Sequence, residues 1–165
     1  LMTTEDVENR KRSSSIQTVI DSLLEKNIVP IVNENNLVAN TEIRFGDNDR
    51  LSARVAQMTK ADLLILLSLV DGLFTANPEV YQGGSFVSEI FEITSDIERM
   101  ASDSKAKTGG MSAKIVAART ALSCDCNAVI MNGIANNPLK RLLEGERCSL
   151  FMSDTDALQK YKIGN

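Results

Sequence analysis

The chain has 165 residues, 43 % hydrophobic and 24 % charged, a balance that supports one folded domain and excludes a disordered tail. Its 18 basic and 22 acidic side chains leave a net charge of -4, so no global field draws it to nucleic acid, and no apolar run approaches the roughly 20 residues that span a bilayer. There is no histidine, which removes the commonest general base, the Ser-His and Cys-His nucleophile pairs and the His-containing zinc sites, and leaves catalysis to Lys, Arg, Asp, Asn or backbone N–H groups.

The chain opens on Leu1-Met2-Thr3-Thr4, a strand-like start that reads as the middle of a longer sequence. From Ser13 to Asn27 the apolar residues Ile16, Val19, Ile20, Leu23 and Leu24 recur at helical spacing, with Ser13 to Ser15 available as caps, and the β-branched run Ile28 to Val32 that follows predicts a buried strand. A polar loop, Asn33 to Asp47, leads to a second helix from about Asp49 to Thr59. Leu63 to Leu67 is a continuous apolar run of the kind that forms a parallel strand covered on both faces. Asp71-Gly72 and Asn77-Pro78 are turn signals that make Val70 to Val80 a hairpin or excursion, and Phe86 to Ile93 a short strand. Helical turns at Asp96 to Ser102, a polar loop to Gly110, a helix over Met111 to Leu122, a strand at Asn127 to Met131, a helix at Asn137 to Glu144 and a strand at Ser149 to Met152 complete the alternation. That pattern predicts an α/β sandwich with a mainly parallel sheet. Cys124, Cys126 and Cys148 match neither a disulfide framework nor the C-x-x-C spacing, so reduced, buried or half-buried thiols in a cytoplasmic protein are expected.

Three segments are candidates for chemistry. Thr108-Gly109-Gly110-Met111-Ser112-Ala113-Lys114 places a glycine pair at the mouth of a helix with a lysine one turn inside it, a geometry suited to an anion, although it lacks the spacing of a Walker A loop and also reads as a plain loop and surface lysine. Gly46-Asp47-Asn48-Asp49 precedes the second helix. Its carboxylates serve as an N-cap with an Asx turn, or they grip an ammonium group or align lysines around a phosphoryl group. Asn33-Glu34-Asn35-Asn36 follows a predicted strand, and the carboxyl end of a parallel strand is where open α/β sheets bind ligands.

Taken in order, Asn33-Glu34-Asn35-Asn36, Glu42-Ile43-Arg44-Phe45-Gly46-Asp47-Asn48-Asp49, Leu64 to Leu67 with Asp71-Gly72-Leu73, and Thr108 to Lys114 resemble the glutamate 5-kinase branch of the amino acid kinase family. The resemblance runs from Leu1 to about Phe151. It implies a three-layer αβα sandwich and transfer of the γ-phosphoryl of MgATP to the γ-carboxylate of L-glutamate, giving L-glutamyl 5-phosphate for proline biosynthesis, with proline as feedback inhibitor. It also implies a cytoplasmic homo-oligomer, a dimer or tetramer, with neither nucleic acid nor membrane as partner. By the same resemblance Lys114 is the transition-state lysine and Asp49 organises the lysines around the phosphoryl group, while Asp47, Asn48 and the residue at Asn36 hold glutamate. Ser68 and Leu69, with Thr108, Gly109, Gly110, Met111, Ser112, Ala113 and Lys114, contact ATP, and Mg²⁺ is held mostly by phosphate oxygens with no protein metal ligand assigned.

The pattern departs from the family in several places. Asn36 stands where the family has Asp to receive the substrate's α-amino group, and Ser68-Leu69 stands where it has Thr-Asp. The loop before Thr108 is shorter, and the Lys-Gly-Ser/Thr block with which family members begin does not occur before Leu1. The expectation is therefore a single domain over residues 1–165, the C-terminal, nucleotide-binding portion of a kinase domain, without the RNA-binding-like C-terminal domain of many relatives. A family member acting on carbamate, aspartate, N-acetylglutamate or a nucleotide, and a degenerate module that binds without catalysis, stay open at this point.

Overall fold

Two apolar segments, β1 (Leu63–Ser68) and β5 (Asn127–Asn132), lie side by side in parallel register from Leu63↔Asn127 to Ser68↔Asn132. The computed structural model describes residues 2–34, 47–76, 83–103 and 110–153, with the backbone alone at Thr4, Glu5, Asp47 and Asp103. On the far side of β5, β6 (Cys148–Phe151) runs antiparallel, and β4 (Glu89–Ile90) pairs in parallel with β6, giving the order β1-β5-β6-β4. The sheet is thus mainly parallel with one antiparallel joint. β2 (Leu73–Phe74) and β3 (Phe86–Val87) form a separate antiparallel ribbon. The predicted excursion over Val70 to Val80 is the first arm of that ribbon, and the predicted strand at Phe86 divides at Ser88 between the two sheets.

Parallel strands require crossover connections, and here helices supply them. α3 (Asp47–Thr59) and α5 (Gly110–Leu122) pack on each other and against β1 and β5, and α4 (Ser95–Asp103) packs on α5. The contact is built from small side chains. Ala53, Ala56, Ala117, Ala118 and Ala121 are buried, and they let the helix backbones approach closely above Leu64, Leu66, Ala128 and Ile130. Val129 and Met131, on the opposite face of β5, are buried too, so β5 is the strand covered on both faces. The same expectation fails for β1, where Leu67 is 45 % exposed: among the described residues β1 ends the sheet order, with β5 as its strand neighbour.

α1 (Thr4–Glu8) and α2 (Arg10–Glu25) precede this unit and pack on α3. The serines do not cap α2. The cap is Asn9, whose side chain accepts from Lys11 N and Arg12 N, while Ser15 Oγ donates to Lys11 O inside the helix. The predicted buried strand at Ile28 to Val32 is also corrected: the segment is not a strand, and Val29 and Ile31 are 80 % and 96 % exposed. Among the described residues its neighbourhood offers one isolated parallel bridge, Met2↔Glu34, with Met2 N donating to Asn33 O, so no ladder forms around the apolar run. α6 (Pro138–Leu143) follows β5. The cysteines are free thiols, Cys126 buried and the other two half-buried, as their spacing predicts.

Candidate active site

Each of the two central helices feeds directly into a central strand. α3 turns back through Lys60 into β1, and α5 turns back through Asp125 into β5, so helix and strand are antiparallel in both units. Because β1 and β5 are parallel, both helix N-termini and both strand carboxyl ends fall on one edge of the fold. Open parallel sheets bind their ligands at that edge, where free helix N–H groups favour anions.

Two chain segments 65 residues apart meet there. Lys114 Nζ donates to Asp49 Oδ1 at 2.9 Å and to Asp49 Oδ2 at 3.0 Å, with the lysine side chain 13 % exposed and the aspartate 18 %. Asp49 lies in the first turn of α3, not in a capping loop before it, since that helix begins at Asp47. An acidic side chain there complements the positive helix end. Lys114 lies one turn into α5, and the close packing of the two helices brings the groups into contact. The result is a largely sheltered cation, fixed by both oxygens of one carboxylate, beside two helix N-termini.

Asn48 also sits at this edge, and its Oδ1 accepts from Glu34 N at 3.2 Å, tying the segment after Val32 to the start of α3. A cleft of about 620 Å³ runs between that segment and α3, apolar along Val32, Leu51, Val55 and Leu64 and polar where Asn33, Asn48 and Ser52 line it. Ser68 ends β1 half-buried, whereas Leu69 is 80 % exposed. Gly110 opens α5; Met111 packs on the core, and Ser112 Oγ donates to Ala101 O at 3.4 Å, so that hydroxyl faces α4. Ala113 is half-buried on the same turn. Asn36, Thr108 and Gly109 lie outside the described residues, as does the side chain of Asp47.

The edge holds polar residues that the sequence reading passed over. Asn132, the last residue of β5, donates from Nδ2 to Asp71 Oδ1 at 3.2 Å and accepts at Oδ1 from Ile134 N at 2.9 Å. Ser149 is fully buried on β6, where its hydroxyl accepts from Leu73 N at 2.8 Å and donates to Val87 O at 2.6 Å. The signal available for Asn132 was an amide followed by glycine at the end of an apolar strand. Nothing local marks Ser149.

The profile of the amino acid kinase family matches residues 1–132. The chain is 45 % identical over 170 residues to the glutamate 5-kinase of Pelagibacter ubique, covering 100 % of this chain and 46 % of that protein. It is 48 % identical over 165 residues to the glutamate 5-kinase of Rhizobium etli, covering 99 % and 42 %. The chain therefore spans less than half the length of these relatives. Its fold matches the UMP kinase of Ureaplasma parvum with a TM-score of 0.58 at 17 % identity, over 82 % of this chain and 52 % of that one. It matches the Giardia lamblia carbamate kinase bound to AMP-PNP with a TM-score of 0.57 at 20 % identity, over 84 % and 44 %. With four-fifths of its length matched by the family profile and its α/β fold shared with two kinases of that architecture, the chain belongs to the amino acid kinase family.

Proposed function

We propose that this chain supplies the nucleotide-side portion of a glutamate 5-kinase, transferring the γ-phosphoryl group of ATP to the γ-carboxylate of L-glutamate. The observation that carries the reading is the sheltered Asp49–Lys114 pair at the carboxyl edge of the sheet, in a chain 45 % identical to a glutamate 5-kinase over its whole length. A carboxylate oxygen of glutamate forms the new bond to γ-phosphorus as the bond to the bridging oxygen breaks, and ADP leaves with that electron pair. The acceptor is already an anion at neutral pH, so no general base is needed, which fits a chain without histidine. What the reaction does need is fixed positive charge against the phosphoryl oxygens, and Lys114 held by Asp49 is suited to that role.

Gly110 to Ala113, with Thr108 and Gly109, would place backbone N–H groups toward the phosphates, and Ser68 and Leu69 would flank the nucleotide. Asn48, with Asn36 and Asp47, would hold glutamate at the polar end of the cleft. Among the described residues no group of three or more His, Cys, Asp or Glu could hold a metal ion. By the family resemblance, Mg²⁺ would arrive with ATP and take its oxygens mostly from the phosphates. Proline inhibition and assembly into a dimer or tetramer belong to the same reading.

The test is a double-mutant cycle in the full-length protein. Lys114→Ala is expected to lower kcat with glutamate by about 100-fold or more, the scale seen when one transition-state charge contact is removed. Asp49→Asn should lower it less, and the double variant should be no worse than Lys114→Ala, because the carboxylate acts through the lysine. Additive losses, or full activity in Lys114→Ala, would refute the assignment.

A further inference from the structure

The chain contains one Asn-Gly and one Asp-Gly dipeptide, Asn132–Gly133 and Asp71–Gly72, and the fold joins them where β5 ends beside the turn after β1. Asn132 Nδ2 donates to Asp71 Oδ1 at 3.2 Å, Asn132 Oδ1 accepts from Ile134 N at 2.9 Å, and Gly133 N donates to Ser68 O at 2.9 Å. Asn-Gly is the dipeptide most prone to losing its amide, because glycine carries no side chain to shield its nitrogen from the asparagine Cγ. Packing nevertheless requires the glycine: a Cβ on Gly133 would stand 2.8 Å from Leu67 Cβ. The fold therefore keeps a reactive pair and occupies each group through which it reacts. The nitrogen that would attack is donating to Ser68 O. The amide that would be attacked is held at both its oxygen and its nitrogen, so Cγ cannot swing toward Gly133 without losing two bonds.

From this arrangement we infer that Asn132–Gly133 is a site of spontaneous deamidation held closed by the fold, and that modification there makes an opening of the β1–β5 end irreversible. When that end opens, solvent base takes the Gly133 proton and the main-chain nitrogen attacks Asn132 Cγ. The N–Cγ bond forms, the Cγ–Nδ2 bond breaks, and Nδ2 leaves as ammonia with the proton that Gly133 gave up, which closes a cyclic imide. Water then adds to one of the two imide carbonyls and opens the ring to aspartate or to its β-linked isomer. Water is the only co-reactant, and Asn132 and Gly133 are half-buried rather than sealed from it. Either product exchanges a neutral donor for a carboxylate beside Asp71, and the β-linked isomer also adds a main-chain carbon between Asn132 and its bond to Ser68. Like charges and a lengthened backbone both oppose reclosure. This chemistry is independent of the proposed phosphoryl transfer; it sets how long the carboxyl edge keeps its native form.

The experiment follows deamidation of the full-length protein in mildly alkaline buffer by peptide mass spectrometry, with fragment ions placing the change at residue 132. Wild type is measured native and unfolded in guanidinium chloride, beside native Asp71→Ala, whose turn lacks the acceptor for Asn132 Nδ2. Native wild type is expected to lose the amide about 100-fold more slowly than the unfolded chain, since reaction waits on local opening. Asp71→Ala should raise the native rate about tenfold, the worth of one hydrogen bond to a charged group. Should that variant not fold, wild type in rising guanidinium chloride below its unfolding transition decides, because the Asn132 rate should follow hydrogen exchange of the Gly133 amide. Equal rates in native and unfolded protein would overturn the inference, as would a native rate indifferent to Asp71→Ala or unrelated to Gly133 exchange. Irreversibility is read from Asn132→Asp, which carries the product's charge and should melt below Asn132→Ala; a melting temperature at or above that of Asn132→Ala would refute that half.

Discussion

At the scale of single residues, burial and partners decide what each polar group does. Ser149 lies in the core with its hydroxyl satisfied on both sides by Leu73 N and Val87 O, so removing it leaves a buried donor and a buried acceptor unpaired. Ser149→Ala should lower unfolding stability by about 1–3 kcal/mol, read from the denaturant midpoint, and an unchanged midpoint would show that the β2–β3 ribbon is held by other contacts. Cys126 is fully buried, and desolvation, with Cys124 and Asp62 adding to it, pushes its thiol up to about 11. A folded-state pKa raised above the unfolded value means that the folded state keeps a proton the unfolded chain releases. Its contribution to stability is thus complete below about pH 9 and is lost as pH rises toward 11. The melting temperature should fall across that window, and Cys126→Ala should flatten this part of the decline; the same alkaline slope in both proteins would contradict the assignment. The reduced, buried or half-buried state of the thiols was legible from cysteine spacing; that Cys126 is the fully buried one was not, because it follows from α5 turning back over β5. Asp49 and Lys114 were legible as candidates, each in its own motif, and the family resemblance already had Asp49 organise the lysines. The two hydrogen bonds between them are made by the alanine-lined contact of α3 and α5, which brings residues 65 positions apart together.

At the scale of elements, the ends of helices repeat one solution. α2, α3, α5 and α6 each close with a backbone N–H reaching five residues back, from Ile28 to Leu23 O, Ala61 to Ala56 O, Cys126 to Ala121 O and Glu146 to Arg141 O. The residue before each donor is left-handed: Asn27, Lys60, Asp125 and Gly145. This paired-bond terminus satisfies carbonyls that the helix leaves open, and glycine is its usual pivot. Only Gly145 carries the expected signal, so apolar spacing located the ends of α3 and α5 at Thr59 and Leu122, while the left-handed pivots at Lys60 and Asp125 bore no mark of their own. Lys60 holds φ of 53 without the freedom of glycine. Lys60→Gly is predicted to stabilise the protein by about 0.5–1 kcal/mol in denaturant unfolding, since the strain at the pivot outweighs the added chain entropy, and a loss of stability would contradict this account of the turn. The strand at Ile28 to Val32 fails for the converse reason. β-branched composition supplies propensity, but among the described residues the segment has no ladder to join, and propensity without pairing does not make a strand.

At the scale of the whole molecule, alternation of helix and strand was enough to read an α/β fold, and the parallel pair β1–β5 sets where its chemistry can lie. The order β1-β5-β6-β4 was not legible, because the antiparallel entry of β6 depends on α6 and the Schellman turn at Gly145 returning the chain beside β5. The ion pair between Arg119 on α5 and Glu98 on α4, at 2.7 Å and half-exposed, pins the outer helix to the central one without reaching the candidate site. The family follows from the match over residues 1–132, while the acceptor is a matter for chemistry, since the relatives of known fold include kinases of UMP and of carbamate. The most direct measurement is ATP-to-ADP turnover by the full-length protein that contains this chain, across L-glutamate, aspartate, N-acetylglutamate, carbamate and UMP, with Lys114→Ala as control. The account predicts turnover with L-glutamate alone, lost in the control; turnover with another acceptor, or nucleotide binding with no turnover on any of them, would contradict it.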